Sequence, residues 1–392
     1  MSNLVTQLFQ NFVISKDIRQ YKKSIIYYII FRIVRKKLIS KIKIKIYNFY
    51  VWASNNKNEM SHSLLRKCDF EDTCEINLIN KVSDNFLICL FDCGSNFGFY
   101  SLYVASKNKN NKIVALEASP STYLEMKKNI TLNNYKSIKT NNLGVSNIEG
   151  ANLDFFESEK DWESSISQST FKKKSKISIN TTTLDIITKK QNFDDYAVII
   201  KLDVEGHEMN VIDGGLSLIN QYSPLIILEF SKFIGENKHY NYSYLKNFLT
   251  EYNYDIYNTK YERTSLEAII SQIESLPKNM YGIGNNFLIK KGSKFEKILK
   301  NVWSYKKKCV HCEGGVIPFD IAEIHKYQKK VDGWEIVKGE GEFYFLEKNF
   351  TFKNVLESQN FASEFGRISE IEGHHPDIKF GWGYAKISVT TH

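Results

Sequence analysis

Proline is scarce in this chain, five residues in 392, and no Pro-rich or Gly/Ser-rich linker interrupts it. No internal repeat of the roughly 20–50-residue period that marks solenoids and propellers is present. Cysteine is sparse too: Cys68, Cys74, Cys89, Cys93, Cys309 and Cys312. Without an export signal these fit a reducing cytosol, and a cytoplasmic location is expected. Cys309-Val-His-Cys312 is a lone CxxC. A structural zinc needs four ligands and no second pair follows at finger-like spacing, so no metal is expected. Long apolar runs are missing as well. The nearest is "IIYYIIFRIV", Ile25 to Val34, ten residues where a bilayer span needs about 20. A cleavable leader would put its charge before that run and small residues after it, and neither is seen.

Acidic charge is nearly absent from the first 50 residues, which hold 11 Lys/Arg and only Asp17. The remainder carries 42 basic and 43 acidic groups, so the formal charge of +9 belongs to an N-terminal arm. That balance argues against a nucleic-acid groove in the globular part. The arm, residues 1–58, is expected to form a helix packed on the next domain with its lysines solvated. A basic amphipathic segment resting on an anionic membrane surface is the second expectation.

What is present is ample core material: 42% hydrophobic and 14% aromatic residues in a length that suggests two or three domains. From about residue 60, short apolar runs alternate with helical patterns, as in repeated βα units around a mostly parallel sheet. "FLICLFD" (Phe86 to Asp92) reads as a buried strand running into "CGSNFGFYSLYVAS", a glycine-punctuated turn that opens a helix. "KIVALEAS" is the next strand and "STYLEMKKNITLNN" the next helix. "IKTNNLGV", "AVIIKLDVEG" and "LIILEF" each fit an interior strand. The turn Gly94-x-Asn96-x-Gly98 lets the backbone pass close to a ligand at a helix N-terminus. Glu117 ends the second strand, 25 residues after Asp92, where a carboxylate suits the two ribose hydroxyls of an adenosyl group. A dinucleotide would prefer GxGxxG; two glycines four apart point to S-adenosylmethionine.

"FDCGSNFGFYS", "LEASPSTYLEMKKNI", "LGVSN", "TTTLD", "IIKLDVEGHEMNVIDGG" and "PLIILEF" stand in an order and spacing that resembles the FkbM family of methyltransferases, over about residues 60–290. The resemblance implies a class I, Rossmann-like, seven-stranded α/β fold using S-adenosylmethionine on hydroxyl groups of sugars or secondary metabolites. It implies that Asp92, Gly94, Asn96 and Gly98 face the methionine part, Glu117 the ribose, and Asn142 and Leu143 the adenine. Asp203 would lie near the sulfonium and the incoming hydroxyl, with Asp203, Glu205 and His207 the candidates for taking its proton. A carboxylate in "DVEG" can equally cap the following helix.

"NNFLIKKG" reads as the last strand of that domain, residues 59–292, and residues 293–308 as a basic helical connector. Beyond it the pattern changes. "WEIVKGEGEFYFLEKN" can form two antiparallel strands, "NVLESQNFASEFGRISEIEG" carries a helical apolar stripe, and "GWGYAKISVTTH" alternates like a half-buried strand. With "CVHCEGG", "DGWEI", "FTF" and "NFASEF" before it, the ending spaces Glu370, His374-His375-Pro376, Trp382 and His392 at intervals of three, five and nine residues. This resembles the pterin-4a-carbinolamine dehydratases over residues 309–392, a small α+β domain. The resemblance implies that His374, His375 and His392 surround a pterin, with Glu370 orienting it or one imidazole. Imidazoles titrating near neutrality can protonate the departing hydroxyl and take a ring-nitrogen proton. Relatives continue past the third histidine into a final helix that this sequence does not carry. The domain is therefore expected to leave apolar sheet exposed and to pair with a second copy, as a homo-oligomer.

The combined expectation is an S-adenosylmethionine-dependent O-methyltransferase carrying a 4a-hydroxytetrahydropterin dehydratase-like domain, bifunctional in pterin metabolism, with a pterin as one methyl acceptor. The rival reading puts the methyl group on a glycan or secondary-metabolite hydroxyl and makes the tail a non-catalytic binding or dimerisation module.

Overall fold

Runs of Ile, Leu, Val and Phe without alternation predict strands covered on both faces, and the computed structural model places them at the centre of a sheet. It describes residues 17–21, 41–54, 56, 59–67, 69, 70, 72–158, 173–237, 239–277, 280–304, 321–328, 331, 333–339, 344–372 and 376–389. Two units, Met1–Asn301 and Val302–His392, divide them.

In the first unit the strands are β1 (Lys41–Ile46), β2 (Phe49–Ser54), β3 (Leu87–Cys93), β4 (Lys112–Leu116), β5 (Ile138–Asn141), β6 (Gly144–Val145), β7 (Asn152–Ser158), β8 (Lys173–Thr182), β9 (Tyr196–Leu202), β10 (Leu225–Ser231), β11 (Tyr254–Tyr257), β12 (Arg263–Thr264) and β13 (Gly282–Lys290). The main sheet runs β12-β11-β13-β10-β9-β3-β4-β5. β3, β4, β5, β9 and β10 are parallel, and β13 is antiparallel to both β10 and β11. Seven of these strands give the expected Rossmann-like methyltransferase order, and two-residue β12 extends its edge. Strand order reverses between β3 and β9, and the loops after β3, β4, β5 and β9 all leave the same end of the sheet, where α/β folds bind ligands.

Three expectations change. "IKTNNLGV" is not an interior strand: polar β5 pairs only with β4 at the sheet edge, and Gly144-Val145 leave the sheet to pair with β8. The hairpin β7–β8 stands outside the expected strands. Nor is the basic arm a single appendage. Its "KIKIKI" forms β1, and Ile42, Ile44 and Ile46 are fully buried while the alternating lysines stay partly exposed. Period-two alternation selects a strand, not a helix. The outer edge of β2 is closed by the helix Pro120–Asn133: Tyr50 and Trp52 donate their backbone N–H to the side-chain oxygens of Asn133 and Asn129, at 2.7 and 2.9 Å. The expectation for Ile25 to Val34 lies outside the described residues. Among the described residues no helix is long and apolar enough to cross a membrane.

Residues expected to connect the domains start as part of the first unit. In the helix Lys294–Ser304, Phe295 and Leu299 are buried, and Lys294 Nζ donates to the Tyr196 carbonyl at 2.9 Å. The second unit is a four-stranded antiparallel sheet, β14 (Glu335–Lys338), β15 (Tyr344–Thr351), β16 (Asp377–Gly381) and β17 (Tyr384–Val389), in the order β14-β15-β17-β16. The helix Val355–Glu372 packs on it, with Phe361 against Phe350 and Phe352 at ring-centroid distances of 4.5 and 5.1 Å. On β17 Ala385 and Ile387 are buried, as the alternation requires.

Candidate active site

Gly94 fixes the geometry. Its φ is +77°, and a Cβ there would lie 1.8 Å from the backbone oxygen of Asp203. The turns after β3 and β9 thus touch through backbone alone, a contact only glycine permits. Gly94 and Ser95 both donate to the Leu116 carbonyl at 3.0 Å, and Asp203 N–H donates to the Cys93 carbonyl at 3.2 Å, so three strand ends are tied together. Glu117 is gripped next: Oε2 accepts from Asn96 N–H and Oε1 from Ser119 N–H, each at 2.9 Å.

These turns enclose a cleft of about 910 Å³, counted out to its open mouth. Gly94, Asn96, Glu117, Leu143, Asp203 and Glu205 line it, together with Met60, Phe70, Tyr100, Phe155 and Lys201. A wider cleft of about 1760 Å³ adjoins it, sharing Met60, Asp72, Asp203 and Glu205 and adding Glu75 and Glu229.

Four predicted residues are not brought to either cleft. Asp92 is fully buried beneath the turn, where Oδ2 accepts from Ser101 Oγ at 2.6 Å and from Ser101 N–H at 3.2 Å. Gly98 caps the helix Phe99–Lys107 in a left-handed conformation. Asn142 braces the β4 end from outside, donating to the carbonyls of Glu117 and Ala118 at 2.8 and 3.0 Å. His207 turns away from Asp203: Nε2 is 2.9 Å from Ser146 Oγ, and burial lowers its pKa to about 4. A neutral imidazole so placed braces the loop and does not reach the cleft.

The chemistry concentrates on Asp203. Lys201 Nζ lies 2.5 Å from Asp203 Oδ2. Burial by itself lowers a lysine, but Asp203 and Asp92 overcome it and hold the ammonium above its ordinary range. Burial likewise pushes the Asp203 carboxyl up, and Lys201 wins, keeping it below the usual carboxylate value. Glu229 goes the other way, raised well above its ordinary value by the Asp203 charge and by burial. Like charges this close disfavour ionising both carboxyls, and Glu229 is the one pushed upward. Burial also raises Glu75, to about 7. Oxygens of Asp203, Glu205 and Glu229 lie within 4.8 Å of one another, a spacing a cation would accept, and Lys201 already supplies positive charge there. Glu208 braces the turn, its Oε1 accepting from Val204 and Gly206 N–H at 3.2 and 3.1 Å.

Sequence reasoning missed Lys201, Glu229, Tyr100, Phe70 and Phe155. For the first two a signal existed, a single charge inside otherwise apolar strand runs, which is rarely tolerated without a partner. For the others none did, because an aromatic residue in a pattern reads as core.

In the second unit Glu370 falls near the end of the helix Val355–Glu372. Its side chain, and His374, His375 and His392, lie outside the described residues.

A methyltransferase-type α/β unit followed by a small dehydratase-type α+β unit is therefore the class of this chain. Residues 92–256 match the methyltransferase FkbM domain and residues 318–392 match pterin 4 alpha carbinolamine dehydratase. The C-terminal part is 40% identical over 87 residues to a protein of Rubrobacter xylanophilus named as a pterin-4-alpha-carbinolamine dehydratase, covering 22% of this chain and 78% of that one. A counterpart from Methylococcus capsulatus is 38% identical over 86 residues, 22% of this chain and 73% of its own. Among solved structures, the FkbM methyltransferase of Methylobacillus flagellatus KT is 14% identical, covering 68% of this chain and 60% of that one with a TM-score of 0.32, a superposition too loose to add to the topology above. Residues 92–256 thus match the FkbM methyltransferase domain, and the C-terminal part belongs to the pterin-4a-carbinolamine dehydratase family.

Proposed function

We propose that the first unit is an S-adenosylmethionine-dependent O-methyltransferase. The observation that carries this reading is the convergence of Gly94, Asn96, Glu117 and Asp203 on one cleft at the reversal point of the sheet. The residues fit the group: Asn96 Oδ1 is buried with no hydrogen-bond partner among the described residues, ready for a donor such as the methionine ammonium. Glu117 would accept the ribose hydroxyls, with Leu143 beside the adenine. When bound, the cofactor supplies an electrophilic methyl group for in-line transfer to oxygen. Asp203, kept ionised by Lys201, aligns the acceptor hydroxyl in the adjoining cleft and takes its proton. Asp92, Gly98, Asn142 and His207 serve by holding the loops that present these groups. The second cleft has room for either a sugar chain or a pterin as acceptor. Calorimetry with S-adenosylmethionine is expected to show binding by the full chain and about 10- to 100-fold weaker binding by Glu117→Ala, as loss of charge-assisted hydrogen bonds entails. Unchanged affinity refutes the ribose assignment.

For the second unit we propose dehydration of 4a-hydroxytetrahydropterin, with His374, His375, His392 and Glu370 as its acid–base set. Family membership supports this reading. Turnover of synthetic 4a-hydroxytetrahydropterin is expected to fall about 10²- to 10⁴-fold in His375→Ala. No turnover by the native chain would instead make this unit a binding or dimerisation module. Exposed Leu356, Ile368, Phe380 and Trp382 support self-association through it.

A further inference from the structure

We propose that the hairpin β7–β8 is part of the methyl-donor site and that Phe155 is the ring against which the purine base packs. The inference rests on the S-adenosylmethionine reading above and adds an element outside the main sheet to it. The hairpin joins the site first through β6, where Gly144 and Val145 pair in parallel with Thr181 and Thr182. The fit is close: a Cβ on Gly144 would lie 2.8 Å from Ile179 Cδ1. Packing this tight fixes β7 over the cleft wall made by Leu143, Gly144 and Val145. From β7, Phe155 reaches that cleft, only 5% exposed. The cleft's other aromatic residues are engaged with one another, Phe70 stacking on Phe99 at 3.5 Å and packing edge-on against Tyr100 at 5.8 Å. Among the described residues Phe155 pairs with no other ring, and the part of it left uncovered borders the cleft.

A second contact ties the hairpin to the ribose carboxylate. Glu157, two residues along β7, accepts from Ser119 Oγ at 2.8 Å and from Ser121 Oγ at 3.2 Å. Ser119 in turn donates its N–H to Glu117. Hydrogen bonds therefore link the strand that carries the base-packing ring to the ribose acceptor, with Glu157 as a positioning residue.

The test is equilibrium binding of S-adenosylhomocysteine and of adenosine to the full chain, with Phe155→Leu keeping apolar bulk and Phe155→Trp keeping a ring. Aromatic–base stacking predicts that Phe155→Leu binds both ligands about five- to hundredfold more weakly, while Phe155→Trp stays within about threefold of native. Thermal melting of the ligand-free variants separates a folding defect, and Glu157→Gln is expected to weaken adenosine binding several-fold with little change in melting. Native-like binding by Phe155→Leu overturns this inference alone. Failure of the native chain to bind S-adenosylhomocysteine overturns the donor reading and this inference together.

Discussion

Gly94→Ala is expected to cost about 2–6 kcal/mol of folding stability and to abolish cofactor binding. Two penalties add. A non-glycine residue at φ +77° carries about 1–3 kcal/mol of backbone strain. The new methyl also meets the Asp203 carbonyl oxygen at 1.8 Å, which has no soft side chain to yield, and forcing such volume into a packed site costs about 1–3 kcal/mol more. Relief requires the turns after β3 and β9 to separate, which moves Asn96 and Asp203 apart. Gly150→Ala is the control: φ is +67° with nothing within 4 Å of the added methyl, so only the strain applies. Urea unfolding of both variants decides the matter, and equal losses would remove the steric argument.

Lys201→Met is the second large effect, expected at about 1–3 kcal/mol near neutral pH because removing the buried ammonium leaves the partly exposed Asp203 carboxylate without its partner. The side chain of Lys201 is 5% exposed and its ammonium serves Asp203 directly. Asp203 has a depressed carboxyl, so its contribution is present above the ordinary aspartate range and lost as pH falls through the depressed value. Lys201 is raised, so its contribution is present below the ordinary lysine range and lost only as pH rises through the elevated value. At pH 7 both contributions are intact, and the substitution removes both. In the variant, burial and Glu229 would push the Asp203 carboxyl upward, so acid relieves the stranded charge. The deficit against native should therefore shrink between pH 7 and pH 5 in guanidinium denaturation series. A deficit below about 1 kcal/mol, or one indifferent to pH, would show that the ion pair does not hold this site together.

The sheet was legible because its central strands are short, apolar and bounded by turns, and burial on both faces demands that composition. The cleft's glycine turn, Glu117 and Asp203 were legible for a related reason: residues at the ends of such strands must meet at one edge. Glu229 and Lys201 were not, since their partners come from different strands and pairing between them is invisible along the chain. His207 was misplaced for the opposite reason. It stands four residues after Asp203, but the turn through Glu205 at φ 52° and Gly206 at φ +94° redirects the chain toward Ser146. The hairpin β7–β8 carries polar residues on both strands, so nothing in its composition announces a role beside the cleft. In β1 the charge of the lysines outweighed a clear alternation, and a strand was read as an arm.

The asparagine pair on the helix Pro120–Asn133 has a consequence for behaviour in concentrated solution. "FYVWAS" is an apolar, β-prone segment, and an open row of amides along it would recruit strands from other molecules. Asn133 both donates to and accepts from Tyr50, and Asn129 takes the amide of Trp52, so the hydrogen-bonding row is already spent on side chains of the same molecule. Two carboxamides thereby keep an N-terminal ribbon that would otherwise seed fibres a private part of its own fold.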